Sequence, residues 1–328
     1  MDFKKYNILP SELRNHVISY NDNQTIPNYA ACSKLCNEEV KRSHYHFPSE
    51  IKIEDVEVFK KSNPPLCGVV ITMTYPEKNV KYRVKFRNVG ANKYRIGTGK
   101  SSRYEYRGDA HQAAIDYIKN RLKYARIGNP GCLTIDMQKW PTDLMTLPEI
   151  DKYDDWEIRI HESMYHGFYD WITNFPIGNK KLTLFKFTKD KFTIPAQFYE
   201  THFFQNLAHF NCKFPILSYR LESLATSIRC FQTMKATTIN MSISIFPLSV
   251  VNQKIAQWFT NPPTTLPNYT FKDETCNLIN SNEEILRNLP VTNLQDFPGM
   301  MAVTLNHESG YRGVIQIWED VLTFTTNP

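Results

Sequence analysis

Hydrophobic positions recur along this chain with two different periods. Over residues 51–107 the period is two. In Lys81-Tyr82-Arg83-Val84-Lys85-Phe86-Arg87, the side chains of Tyr82, Val84 and Phe86 share one face and the other face is wholly basic. That alternation predicts antiparallel strands with one wet side, and Pro64-Pro65, Pro76 and the stretch Gly97–Ser102 mark the turns. Residues 109–125 change to helical spacing, with Ala113, Ala114, Tyr117, Ile118 and Leu122 on one stripe and Asp109 placed as a cap. Residues 8–47 also read as short helices. Pro10 suits a first turn, Leu13, Val17 and Ile18 follow at helical spacing, and Asn21-Asp22-Asn23 breaks the run. Pro27 opens the next helix, whose stripe is Ala30, Ala31, Leu35 and Val40. A module of this size buries too little surface to stand alone, so it is expected to pack on a partner or on the domain that follows.

From about residue 130 a loose repeat sets in. Strand-like cores lie at Leu133–Ile135, Trp156–Ile160, Leu182–Phe185, Ile216–Tyr219 and Thr238–Met241, with helix-like segments at Met164–Phe175, Pro195–Phe210 and Leu248–Phe259. Strand alternating with helix at steps of 23 and then 26 residues, from Ile135 to Ile158 to Leu184, points to a leucine-rich-repeat-like solenoid or curved parallel sheet. It is a degenerate one, without an asparagine ladder or strict leucine pattern. Residues 281–328 predict one helix, Glu283–Leu289, then two or three strands ending with Val314–Trp318 and Leu322–Phe324, as a cap on the open end. The expected fold is therefore α/β: a helical module at 1–47 and a β-α repeat domain at 48–328 with an antiparallel basic hairpin region.

Charge sharpens this picture. The chain carries a formal +6, yet residues 78–107 hold ten lysines or arginines against one acid, Glu105, so the remainder is slightly acidic. Lys81, Arg83, Lys85 and Arg87 project from one strand face within about 20 Å at about 3.3 Å per residue. Lys78, Lys93, Arg95, Lys100, Arg103 and Arg107 enlarge the patch. This is either an electrostatic site for an acidic protein segment or nucleic-acid phosphates, or a solvated edge kept from aggregating by like charge. Tyr82, Tyr94, Tyr104 and Tyr106 interleave with the cations as in some single-strand binders, but no nucleic-acid motif accompanies them, so the solvated edge is the preferred reading.

Catalytic signatures are not evident. Gly97-Thr98-Gly99-Lys100-Ser101 lacks the earlier glycine of a P-loop, that position being Tyr94, and a strand rather than a helix follows. His44 with His46, and His161 with His166 near Asp154, Asp155 and Glu157, lack further ligands at zinc spacing, and Cys32 and Cys36 fit a packed helix face. Adjacent acids such as Asp154-Asp155, Asp273-Glu274 and Glu283-Glu284 suit a solvated surface better than a cleft. No cofactor, metal or enzymatic activity is expected. Seven scattered cysteines, no secretory-type apolar run near residue 1 and no stretch near the roughly 20 apolar residues of a membrane span lead us to expect a cytoplasmic or nuclear protein away from membranes.

Against this background Ile8-Leu9-Pro10-Ser11-Glu12-Leu13, then Val17-Ile18, then Tyr29-Ala30-Ala31-Cys32-Ser33-Lys34-Leu35 resembles an F-box. Ala113–Leu122 leading into Cys132-Leu133-Thr134-Ile135, with Val251–Phe259 and Glu283–Arg287, looks like the nematode family of F-box proteins that carry an F-box-associated domain. The motifs occur in the family's order over nearly the whole chain. The resemblance implies a substrate-recognition adaptor of a Skp–cullin–F-box ubiquitin ligase. Leu9, Pro10, Leu13, Val17 and Ile18 would face the Skp adaptor, and the repeat domain would hold a protein substrate. The chain departs from the pattern at Asn21-Asp22-Asn23-Gln24-Thr25, where F-boxes carry a leucine-rich stretch. That departure keeps open a ligase-independent protein-binding module with a degenerate F-box.

Overall fold

The computed structural model describes residues 45–46, 48–59, 66–75, 80–90, 92–97, 105–123, 125–127, 130–174, 180–186, 196–215, 225, 228–229, 231–242, 246–260, 266–273 and 276–327. Of the helical module expected over residues 1–47, all but Tyr45–His46 lies outside this set. So do the turns expected at Pro64-Pro65, Pro76 and Thr98–Ser102. The described residues form a mixed α/β structure dominated by sheet, with few helices, in two compact units. One contains the residues up to Met137 with Pro141–Asp154, the other Gln138–Trp140 with Asp155–Pro328.

The first unit is built on strands β2 (Glu50–Phe59), β3 (Leu66–Tyr75), β4 (Val80–Gly90), β5 (Lys93–Gly97) and β6 (Glu105–Arg107), each antiparallel to the one before it. A short pair, β1 (Tyr45–His46) and β7 (Ala125–Ile127), forms a separate parallel ladder, and β8 (Cys132–Asp136) joins β2 in parallel. The period-two pattern accounts for the layering. Ile51, Ile53, Val69, Ile71, Met73, Val84, Phe86, Leu133 and Ile135 are buried on one face. Helix α1 (Ala110–Lys123) covers this face with Ala110, Ala114, Ile115, Ile118 and Leu122, and the Phe86 and Tyr117 rings meet edge-on at 5.6 Å. Burying Phe86 alone contributes about 2–3 kcal/mol. The helix starts where predicted: Asp109 Oδ2 accepts from Gln112 N at 3.0 Å, and Asn88 Oδ1 accepts from Ala110 N at 3.0 Å. A short helix α2 (Thr142–Met145) follows β8.

The second unit opens with β9 (Asp155–Ile160), then α3 (Tyr165–Asn174), β10 (Lys181–Lys186), α4 (Ala196–Glu200), α5 (His202–Gln205), β11 (His209–Pro215), β12 (Thr238–Ser242), α6 (Leu248–Thr260) and β13 (Asn268–Lys272). The five strands are parallel and adjacent in chain order. The helices pack on one face, against the register row Trp156, Leu182, Phe210, Ile239 and Tyr269. Aromatic rings seal that side: Trp156 lies 4.9 Å from Trp171 and 5.8 Å from Phe203, and Phe204 lies 4.9 Å from Phe210. After α7 (Asn282–Leu286) come four antiparallel strands, β14 (Val291–Phe297), β15 (Met300–Asn306), β16 (Arg312–Ile317) and β17 (Val321–Asn327), in spatial order 13-17-16-15-14. Gly313 is required in β16, because a Cβ there would stand 2.9 Å from Phe324 and 3.1 Å from Trp258.

Several segments differ from expectation. The helix predicted over Pro195–Phe210 is split at Thr201, whose extended backbone ends α4 and whose hydroxyl accepts from Phe204 N at 3.3 Å to begin α5. His209 and Phe210, its expected end, open β11 instead, and the strand predicted at Ile216–Tyr219 lies outside the described residues. Strand β13 was not anticipated, because Asn268-Tyr269-Thr270-Phe271-Lys272 is short and polar at both ends. The C-terminal region has four strands rather than two or three.

Candidate recognition surface

Each sheet has one face that carries polar side chains and, among the described residues, no helix. In the first unit this face holds the basic row. Lys81, Arg83 and Arg87 are exposed and Lys85 is half-buried, while Val84 and Phe86 between them are buried. Register extends the row sideways. Arg87 stands opposite Arg95, Arg95 opposite Glu105, and Lys93 opposite Arg107. Lys78, Lys100 and Arg103, also expected in the patch, lie outside the described residues, as do the adaptor-facing candidates Leu9, Pro10, Leu13, Val17 and Ile18.

The charges on this surface are unequally satisfied. Arg95 donates through Nε to Glu105 Oε1 at 3.1 Å, and this hydrogen bond, reinforced by the guanidinium charge, holds the Glu105 carboxyl below its ordinary range. Among the described residues, Lys81, Arg83, Lys85 and Arg87 form no ion pair. Arg87 in fact faces the like charge of Arg95 across the strand pair, an arrangement that costs stability unless an anion sits between. On the far side of β3 the same face turns to Thr72 and Thr74, then Glu50, Lys52 and Glu54, then Thr134 and Asp136, with Lys52 pairing with Glu54 at 2.7 Å. Sequence reading missed this change of sign. It follows from strand register, which no single segment reveals.

The tyrosines divide from the cations. Tyr82 alternates with the basic row and lies on the helix side, where its ring meets Tyr75 edge-on at 5.7 Å. Tyr94 and Tyr106 are register partners stacked at 5.4 Å on that same side. A surface that stacks bases while holding phosphates needs both groups on one face, and these strands put them on opposite faces.

The second unit's open face is nearly neutral. One register row reads Glu157, Thr183, Asn211, Asn240, Thr270, Thr323 and Gln316. Beside it Lys181 stands between Asp155 and His209. Burial raises the Asp155 carboxyl, against the pull of Lys181 and His209, and burial together with Lys181 lowers the His209 imidazole. Among the described residues no three His, Cys, Asp or Glu side chains converge as a metal site, and no helix is long and apolar enough to cross a membrane.

By fold and surface the chain is a mixed α/β protein of two sheet-based units, each with a sheet face that carries polar side chains and, among the described residues, no helix. No protein-family model, curated protein or solved structure matches it.

Proposed function

We propose that this chain is a non-catalytic substrate receptor whose basic row captures an acidic protein segment. Its F-box-like N-terminal residues would join it to the Skp-type adaptor of a cullin ubiquitin ligase in the cytoplasm or nucleus. In this reading Leu9, Pro10, Leu13, Val17 and Ile18 face the adaptor, and Lys81, Arg83, Lys85 and Arg87 face the substrate. The consecutive parallel strands β9 to β13, with helices on one face, are consistent with a degenerate leucine-rich-repeat-like winding. The observation that carries the reading is the row of four cations that, among the described residues, has no ion-pair partner and lies on a sheet face without a helix. An extended peptide with acids at every second position repeats at about 6.6 Å, the spacing of the row itself. Charge complementarity then fixes register and speeds encounter.

Two measurements test this. A labelled peptide of alternating glutamate and threonine is expected to bind the full chain, weakening as salt rises. The triple variant Arg83→Ala, Lys85→Ala, Arg87→Ala should lose at least tenfold in affinity. Equal binding by the variant removes the basic row from the reading. Separately, the full chain should co-purify with the adaptor and lose it on Leu13→Glu, and a folded chain that never retains the adaptor ends the ligase assignment. The departure at Asn21–Thr25 favours a second reading, a receptor acting without the ligase, which predicts peptide binding with no adaptor retention.

A further inference from the structure

The last sheet ends on a strand that lacks the usual protection. β14 pairs with β15 on one side, and among the described residues no strand lies on its other side. All seven of its residues are exposed, and Val291, Leu294 and Phe297 are three of the four large apolar side chains exposed among the described residues, Leu294 at 51%. Edge strands are normally shielded by lysines, by an internal proline or by charges pointing inward. β14 has no lysine, arginine or proline, its prolines at 290 and 298 fall just outside, and its one charge is Asp296. The register irregularity between Val291 and Asn293 is confined to the strand's start and leaves Asn293–Phe297 regular.

The strand is also self-complementary. We infer that two copies of this chain associate by antiparallel pairing of their β14 edges about a two-fold axis at Leu294. That register sets Leu294 against the partner's Leu294 and Asn293 against the partner's Gln295. It sets Thr292 against the partner's Asp296. Leucine meets leucine, amide meets amide, and no like charges are opposed. Antiparallel pairing about such an axis keeps the same face of both strands on the same side. Leu294 is the register partner of the buried Val303, and Val291 of the buried Leu305, so the apolar face of one copy continues into that of the other. The interface is isologous and closes after two copies, which suits a finite dimer rather than a fibre.

Sedimentation equilibrium of the full chain tests the proposal. The expected mass is twice 38.4 kDa. Leu294→Lys, which opposes two ammonium groups on the axis, should return it to a single copy that keeps the native circular-dichroism spectrum, since the side chain is exposed. A chain that sediments as one copy at tens of micromolar, or a Leu294→Lys variant that still dimerises, overturns the proposal. Cysteine substitution fixes the register. Leu294→Cys should link to itself on mild oxidation and Thr292→Cys should not, judged against the native cysteine background, whereas equal linking at both positions contradicts the axis at Leu294.

Discussion

Gly167 lies in the first turn of α3, where ordinary helix energetics and the tertiary structure make opposite forecasts. Alanine is favoured over glycine in a helix by up to about 1 kcal/mol, so Gly167→Ala would stabilise an isolated α3. In the folded chain a Cβ at this position would stand 2.9 Å from Trp140 Cβ and 3.2 Å from its Cγ and Cδ1. Carbon atoms normally approach to about 3.5–4.0 Å, so the overlap is roughly half an ångström at three atoms. Trp140 has no room to yield: it is buried, with Phe168 at 5.1 Å and Trp171 at 5.2 Å. The atom nearest the new methyl is also the one bonded to the backbone. Overpacking of this kind costs about 1–3 kcal/mol, and the three-atom overlap on a hemmed-in ring belongs to its upper part, which leaves a net loss of up to about 2 kcal/mol after the helix gain. Urea unfolding followed by tryptophan fluorescence reads the effect cleanly, because all five tryptophans belong to the second unit. The midpoint should fall with an unchanged slope. In a Trp140→Leu background, where the obstacle is trimmed, the alanine's extra cost should largely vanish. A midpoint that stays put or rises in the otherwise native chain would refute the reasoning.

Three further outcomes follow from buried or half-buried polar groups. Burial lowers the Lys254 ammonium from 10.5 to about 8, although its Nζ donates to Met234 O at 2.6 Å and Gln232 O at 3.3 Å. The unfolded chain keeps this proton up to pH 10.5 and the folded chain gives it up near 8, so stability from this group rises with pH through that window. The gain is at most about 3 kcal/mol, and the stability of the native chain relative to Lys254→Met should increase by that order between pH 8 and 10. A pH-independent difference would contradict it. Tyr153, fully buried, donates to Pro48 O at 3.0 Å, and Tyr153→Phe leaves that carbonyl without this donor. A loss of about 1–3 kcal/mol is expected in unfolding followed by circular dichroism, and a change below a few tenths would show that the bond contributes little. Burial, with the neighbouring Asp273 carboxylate accepting at 3.1 Å, pushes the Cys276 thiol up to about 11. Cys276 should therefore alkylate slowly with iodoacetamide at pH 8 and faster in Asp273→Asn, as read by peptide mass spectrometry, whereas equal rates would remove Asp273 as a cause.

Legibility of the fold followed how locally each element is specified. The alternation at 81–87 needs only neighbouring residues, and β4 has the burial it predicts. The stripe Ala114, Ile118, Leu122 behind Asp109 became α1, and Leu248–Phe259 became α6, since a long amphipathic period is hard to mistake. Segments whose state depends on distant partners were misread. Phe210 fits a helical stripe as well as a strand, and what places it in β11 is its position beside Leu182 and Ile239. Trp140 and Gly167 lie 27 residues apart with no pattern linking them, yet their contact makes glycine necessary inside a helix.

By itself the sequence determined which side chains share a face: the basic row, the apolar row behind it and the helical stripes. These are set by the geometry of one strand or one helix, with periods of two and 3.6 residues. Tertiary structure alone decided which rows became neighbours. It placed Arg87 against Arg95, turned the same sheet face from basic to mixed beyond β3, put Tyr94 and Tyr106 on the side away from the cations, and left β14 as the edge strand among the described residues. Strand order and register arise from many weak contacts summed over distant segments, so they are properties of the packed chain and of no single stretch within it.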